Sequence, residues 1–291
     1  MTVIDAHVHL YPPELNRDPA GWGAQAGEAR WMQLCTRRRR DGRPVQDFPS
    51  VDQLLHDMDA AGVGRSVLLG WYWEKPETCA WQNRFYAACV RAYPDRFSAF
   101  AAFHPAAGRE EMRRARDEGF IGLGELSPHS QGYAIDDPAF RDVLALAAEL
   151  RLPVNLHVTD PAGKNYPGRV ETPLADFVTL AREFPGTIFI LAHWGGLLPA
   201  VDASAAGLPN LFYDTAASPR LYEPAVFRRV LDTVDHRRVL FGSDYPLILF
   251  PDESRAGFAG FLAQIAGANL SAAERAALLG GNAADIFRLS R

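Results

Sequence analysis

The feature that most constrains this 291-residue chain is an eightfold alternation of apolar runs and helical stretches. Runs rich in Val, Ile, Leu and Phe recur at 3–9 (VIDAHVH), 64–70 (GRSVLLG), 97–103 (FSAFAAF), 120–126 (FIGLGEL), 153–159 (PVNLHVT), 187–193 (TIFILAH), 210–216 (NLFYDTA) and 238–244 (RVLFGSD). Each leads through a turn signal into apolar residues at helical spacing, the pattern of βαβ units with parallel strands. Eight parallel strands imply closure. The fold class read from the sequence is therefore α/β, a single (β/α)8 TIM barrel.

Such a barrel takes about 250 residues, which leaves roughly 40 to place. They fall at residues 11–50, between the first two runs, where Pro, Gly, Trp and Arg are common and periodicity is weak. No repeat or Gly/Ser linker divides the chain, so one domain, 1–291, is expected, with a loop insertion at 11–50. An insertion after strand one lies at the C-terminal face, where barrel active sites form. It reads as a lid or substrate loop, the alternative being a surface ornament or an oligomer arm. Ser50 followed by Gln53 is a capping-box pattern for a helix with the apolar face Val51, Leu54, Leu55 and Met58, ended by Gly62. Ser271 and Glu274 repeat that pattern before a last helical segment running towards Phe287.

Thirty basic against thirty-five acidic residues give a formal charge of −5, so no net positive field draws the chain to nucleic acid or anionic lipid. A small-molecule substrate is the expected partner, and a homodimer the expected assembly if the chain assembles. Cys35, Cys79 and Cys89 are odd in number and lack a C-x-x-C spacing, which excludes a disulfide framework or a zinc cluster and fits a reducing, cytoplasmic setting. The start, MTVIDAHVHL, has no basic n-region and carries Asp and His within its apolar stretch, so no signal peptide is expected. Nor does any run approach the roughly 20 apolar residues of a membrane span.

Period two on a strand puts His7 and His9 on one face and Val8 on the other. Two imidazoles side by side inside a barrel strand their nitrogens unless something binds them, and a divalent cation does so with both rings neutral. Glu125, His157, His193 and Asp244 each stand at or near the end of a different predicted strand. Strand ends converge on one barrel mouth, so a shared metal accounts for all six better than six separate structural roles. The N/O donor set favours Zn, with Mn, Fe or Co as alternatives. Trp71 and Trp73, after strand two, are expected to overhang the mouth and suit a flat apolar ligand, the alternative being packing against the insertion. A substrate carboxylate could be held by one of Arg37 to Arg40, or by Lys164, Arg169 or Arg220, with Arg169 chosen as the candidate.

The motifs IDAHVHL, NLHV, LAHWGG, FGSDYP and GNAADIF, in this order along the whole chain, resemble the amidohydrolase superfamily. They are most similar to its amidohydrolase-related branch, which includes the aminocarboxymuconate-semialdehyde-decarboxylase-like enzymes. The resemblance implies that His7, His9, His157 and Asp244 bind the metal, with His193 beside the reacting centre as a catalytic residue. Glu125 in GLGEL resembles the strand-four glutamate of the TatD-like and phosphodiesterase-like branches, where a carboxylate bridges two metals, so one or two ions are expected. On that glutamate, the sequence reading favours a metal-dependent hydrolase acting on a small, anionic ester, lactone or amide, with Asp244 relaying the proton of an activated water. The alternative is a metal-dependent decarboxylase of an aromatic or unsaturated carboxylic acid.

Overall fold

The structure is a computed structural model and describes residues 2–249 and 253–289. All eight apolar runs form strands of one sheet in the order of the chain, every neighbouring pair parallel. They are β1 (Val3–Val8), β2 (Val63–Leu68), β3 (Phe97–Ala101), β4 (Gly122–Leu126), β5 (Val154–Leu156), β6 (Phe189–Leu191), β7 (Leu211–Asp214) and β8 (Val239–Leu240). The sheet closes on itself just past β8. There Ala6 donates its N–H to the Phe241 carbonyl at 2.8 Å, Asp244 to His7 at 2.9 Å and His9 to Tyr245 at 2.7 Å. The expected (β/α)8 barrel is therefore the fold.

Consecutive strand residues divide between two apolar clusters, as a period of two requires. Leu68, Ala99, Ala101, Leu191 and Phe241 pack with the surrounding helices. Val67, Leu69, Phe100, Ile190 and Leu240 pack with one another inside the barrel, where the Phe287 ring meets Phe100 at 5.2 Å. Two register shifts interrupt the alternation. In β1, Ile4 and Ala6 belong to the inner cluster and Val8 to the outer, with a shift between Asp5 and Val8. In β4, Gly124 and Glu125 together face the single residue Asn155 on β5, between the pairs Leu123–Val154 and Leu126–Leu156. Such bulges re-aim side chains, and here they turn His7, His9 and Glu125 to the mouth.

The insertion folds into three short helices, α1 (Pro13–Arg17), α2 (Pro19–Ala26) and α3 (Ala29–Cys35). The Asn16 side chain ties its two ends by donating to the carbonyls of Tyr11 and Pro49. Its Tyr11, Trp31 and Cys35 pack with Trp71, Tyr72 and Trp73 in an aromatic cluster, so it is a folded cap with a core of its own. The next helix, α4 (Val51–Ala61), starts where Ser50 Oγ accepts from Gln53 N and stops at Gly62 with φ +72°. Only half of this capping box forms, because the Gln53 amide reaches forward to Asp57 at 2.9 Å. At Ser271 and Glu274 both halves form. The three cysteines are free and buried, and no helix among the described residues is long and apolar enough to cross a membrane.

The closing seam is tight at Gly242, where an added Cβ would stand 2.7 Å from His7 Cβ. Gly242→Ala is expected to cost about 1–3 kcal/mol of stability, the usual range for overpacking. Urea unfolding monitored by circular dichroism measures this, and an unchanged midpoint would contradict the packing described.

Candidate metal centre

β1 carries His7 and His9 into the mouth, and their orientation is set from behind. His7 donates from Nδ1 to Asp214 Oδ2 at 2.9 Å. His9 donates from Nδ1 to the Leu69 carbonyl at 3.1 Å. A carboxylate and a carbonyl only accept, so both neutral rings present an Nε2 lone pair forward. Those two Nε2 atoms lie 3.1 Å apart and the residues are buried, an arrangement that repels itself unless a proton or a metal cation stands between them.

Carboxylates complete the donor set. Glu125 Oε2 is 3.6 Å from His9 Nε2 and 3.9 Å from His7 Nε2, while Asp244 Oδ1 is 3.5 and 3.7 Å from the same two atoms. Donors sharing one ion at about 2.0–2.2 Å can stand no more than about 4.4 Å apart, so the His7–His9 pair fits a divalent cation with Glu125, and equally with Asp244. Glu125 also belongs to a second triad with His157 and His193, its Oε1 lying 2.8 Å from His157 Nδ1 and 3.9 Å from His193 Nε2. His157 is thus turned onto Glu125 rather than directly onto the pair from β1.

The charges agree with this geometry. Burial opposes a proton on His7, yet Asp214, Glu125 and Asp244 overcome it and raise its pKa to about 10. Burial likewise opposes the Glu125 charge, and His157, His9 and His7 overcome it, holding the carboxyl well below its usual range. Positive charge is favoured where the donors converge. His193 differs: burial lowers its pKa, so a neutral ring faces the pocket.

The predicted strand-end residues are brought together, although His157, His193 and Asp244 lie just past short strands rather than in them. His193 and Asp244 take left-handed backbone (φ +57° and +67°), held by bonds from His193 N to Asp214 Oδ1 and from Asp244 N to the His7 carbonyl. Asp214 is the residue the sequence reading missed. Its Oδ1 also accepts from Ala216 N, and the Ala216 carbonyl accepts from His193 Nδ1 at 3.0 Å, so one buried carboxylate positions both His7 and His193. The available signal was that strand seven, like strand three, lacked a residue assigned to the mouth, yet its run carries an Asp near its end.

A cavity of about 490 Å³ opens above the cluster, lined by Glu125, His157, His193 and Asp244, by Leu34, Arg37, Val45 and Gln46 of the insertion, and by Trp71 and Tyr72. Trp71 and Tyr72 stack at 4.3 Å, with Trp71 against His9 and Tyr72 against His157. Trp73 stands behind this wall, fully buried, with its Nε1–H on Gln82 at 2.7 Å. Arg169 faces away as well, bound to Glu171 and, at 3.0 Å, to the Asp160 carbonyl. Arg37, Lys164 and Arg220 supply the pocket's cations instead.

A family model described as Amidohydrolase matches residues 4–289. The chain belongs to the amidohydrolase family. This amidohydrolase is 25% identical to the 6-methylsalicylic acid decarboxylase of Penicillium expansum, over 84% of this chain and 85% of that protein. Among solved structures, the 5-carboxyvanillate decarboxylase of Sphingomonas paucimobilis superposes with a TM-score of 0.76 at 19% identity, covering 99% of both chains. The 5-carboxyvanillate decarboxylase of Novosphingobium aromaticivorans, solved with manganese and 3-methoxy-4-hydroxy-5-nitrobenzoic acid, gives 0.73 at 16% identity, over 99% of this chain and 97% of that one. The chain is thus an enzyme of this superfamily, and its clustered His and carboxylate donors could hold a divalent metal.

Asp214→Asn keeps the shape behind His7 but replaces an anionic acceptor. Loss of such a partner typically costs about 10- to 100-fold in metal affinity. Competition with a chromophoric chelator is expected to show that loss, and wild-type affinity in the variant would contradict the role given to Asp214.

Proposed function

We propose that this amidohydrolase is a metal-dependent decarboxylase of an aromatic carboxylic acid. The sequence reading put hydrolysis first, on the strength of Glu125. The observation that carries the other reading is the match to a 6-methylsalicylic acid decarboxylase along 84% of the chain. The stacked Trp71–Tyr72 wall beside the metal donors supports it, since a flat ring fits against aromatic faces. Manganese or zinc suits the donor set.

Decarboxylation breaks the bond between ring and carboxylate carbon, leaves the electron pair on the ring carbon, and ends when that carbon takes a proton as CO₂ departs. A divalent ion held among His7, His9, Glu125 and Asp244 would supply Lewis acidity for the substrate oxygens and the developing negative charge. Asp244 reaches the cluster with Oδ1 and lines the pocket, so it is the group placed to carry the proton to the ring carbon. His193, fixed through Nδ1, turns Nε2 to the pocket and can hydrogen-bond a substrate oxygen. Leu34 and Val45 of the insertion close over the ring, and excluding water there strengthens each of these interactions.

The test is to incubate manganese-loaded protein with a panel of hydroxybenzoic acids and to measure CO₂ together with uptake of labelled oxygen from water. CO₂ release with no labelled oxygen in the aromatic product is expected, and Asp244→Asn should lower kcat by at least about 100-fold. Ester or lactone cleavage with label incorporation and no CO₂ would overturn the reading. Chelator treatment should abolish turnover, and Mn²⁺ or Zn²⁺ should restore it.

A further inference from the structure

Asp57 puts a carboxylate into the packing face of α4, beside Leu54 and Met58. A carboxylate taken out of water is costly unless it is paired, and a leucine would fill the same face without that cost. Three groups satisfy it. Gln53 Nε2 donates to Oδ1 at 2.9 Å, Arg255 donates to the same oxygen, and the Tyr245 hydroxyl donates to Oδ2 at 2.9 Å. Gln53 belongs to the same helix and Arg255 is exposed, but Tyr245 is buried and directly follows Asp244. Tyr245 is held on several sides. Its ring lies flat on Phe258 at 5.0 Å and 8°, its N–H donates to Ser243 Oγ at 3.0 Å, and its carbonyl accepts from His9 N at 2.7 Å. Burial, and then the Asp57 charge, push the phenol's pKa up, so the hydroxyl keeps its proton and stays a donor.

We propose that Asp57 is a positioning residue for Asp244, acting through the Tyr245 hydroxyl to fix the direction in which the Asp244 carboxylate meets the ion. Asp244 takes left-handed backbone, φ +67°, a conformation uncommon outside glycine that persists where neighbouring groups hold it. On its N-terminal side the bond from its N–H to the His7 carbonyl does so, at 2.9 Å. On its C-terminal side stands Tyr245, whose far end is pinned by Asp57 as its face is pinned by Phe258. A swing of that ring would turn the peptide between 244 and 245. It would carry Asp244 Oδ1 away from His7 Nε2 and His9 Nε2, which lie at 3.7 and 3.5 Å. The His9 ring is fixed separately by the Leu69 carbonyl, so the influence of Asp57 falls on Asp244. This role needs the metal centre but no particular reaction there.

Tyr245→Phe removes one oxygen and keeps the ring on Phe258, so the fold should survive, which urea unfolding checks. Competition with a chromophoric chelator then gives the Mn²⁺ affinity of the folded protein, a quantity that a bond serving stability alone would leave unchanged. Tyr245→Phe and Asp57→Ala are each expected to weaken it by about tenfold, the lower end of the range for groups behind a metal donor, and the double variant by no more than either. In an Asp244→Asn background, Tyr245→Phe should have no further effect. Unaltered affinity in Tyr245→Phe, losses that multiply in the double variant, or a loss of equal size in the Asp244→Asn background would overturn the proposal. If Asp57→Ala does not fold, the comparison of Tyr245→Phe in the two backgrounds decides alone. None of these measurements needs turnover, so a failed decarboxylase assay leaves the result standing. Absence of Mn²⁺ binding in the unaltered protein would overturn the metal centre and this role together.

Discussion

The backbone seam that closes the barrel is the constraint on which the site depends. Asp244 donates its N–H to the carbonyl of His7, and His9 donates to that of Tyr245. These bonds join residues more than two hundred positions apart, and they bring two imidazoles and a carboxylate within 3.7 Å of one another. Asp5 reinforces the seam from within: its Oδ1 accepts from both His7 N and Ser243 N. An open sheet with the same strands would carry the same donors but would leave them on opposite edges.

Closure explains position, and the polar groups behind the donors explain orientation. Asp214 and the Leu69 carbonyl take the back nitrogens of His7 and His9, which turns both lone pairs forward. The Leu69 carbonyl is fixed in turn by the Tyr86 hydroxyl at 2.8 Å, and Tyr86 also receives a bond from Gln82. Gln82 Oε1 accepts from Trp71 N at 2.9 Å. One buried network therefore supports His9, a candidate metal donor, and the aromatic wall beside it. Each group in such a network costs about 1–3 kcal/mol if left unpaired, so its geometry is strongly held.

The eight strands were legible because apolar runs with turn signals report burial directly; seven runs contain the strand they predict, and β2 starts one residue ahead of its run. The convergence of His7, His9, Glu125, His157, His193 and Asp244 was legible for the same reason, since strand ends of a barrel meet. Two bulges were not. The switch of facing between Ala6 and His7 and the turn of Glu125 inward depend on pairing with β2 and β5, which local periodicity does not encode. Asp214 lies at the end of β7, where a lone Asp carries no motif that sets it apart in sequence. Trp71 and Trp73 look alike in sequence. Only packing of the insertion sends one to the pocket wall and the other into the aromatic core behind it. Arg169 is drawn off by Glu171 and by the Asp160 carbonyl, contacts made within its own loop.

The most direct test of the metal centre is anomalous diffraction from crystals grown with manganese. A peak is expected about 2.0–2.3 Å from His7 Nε2, His9 Nε2 and an Asp244 oxygen, with a Glu125 oxygen facing it. A map with no peak at that point, or with its only peak away from the His7–His9 pair, would contradict the assignment of those residues as the ion's donors.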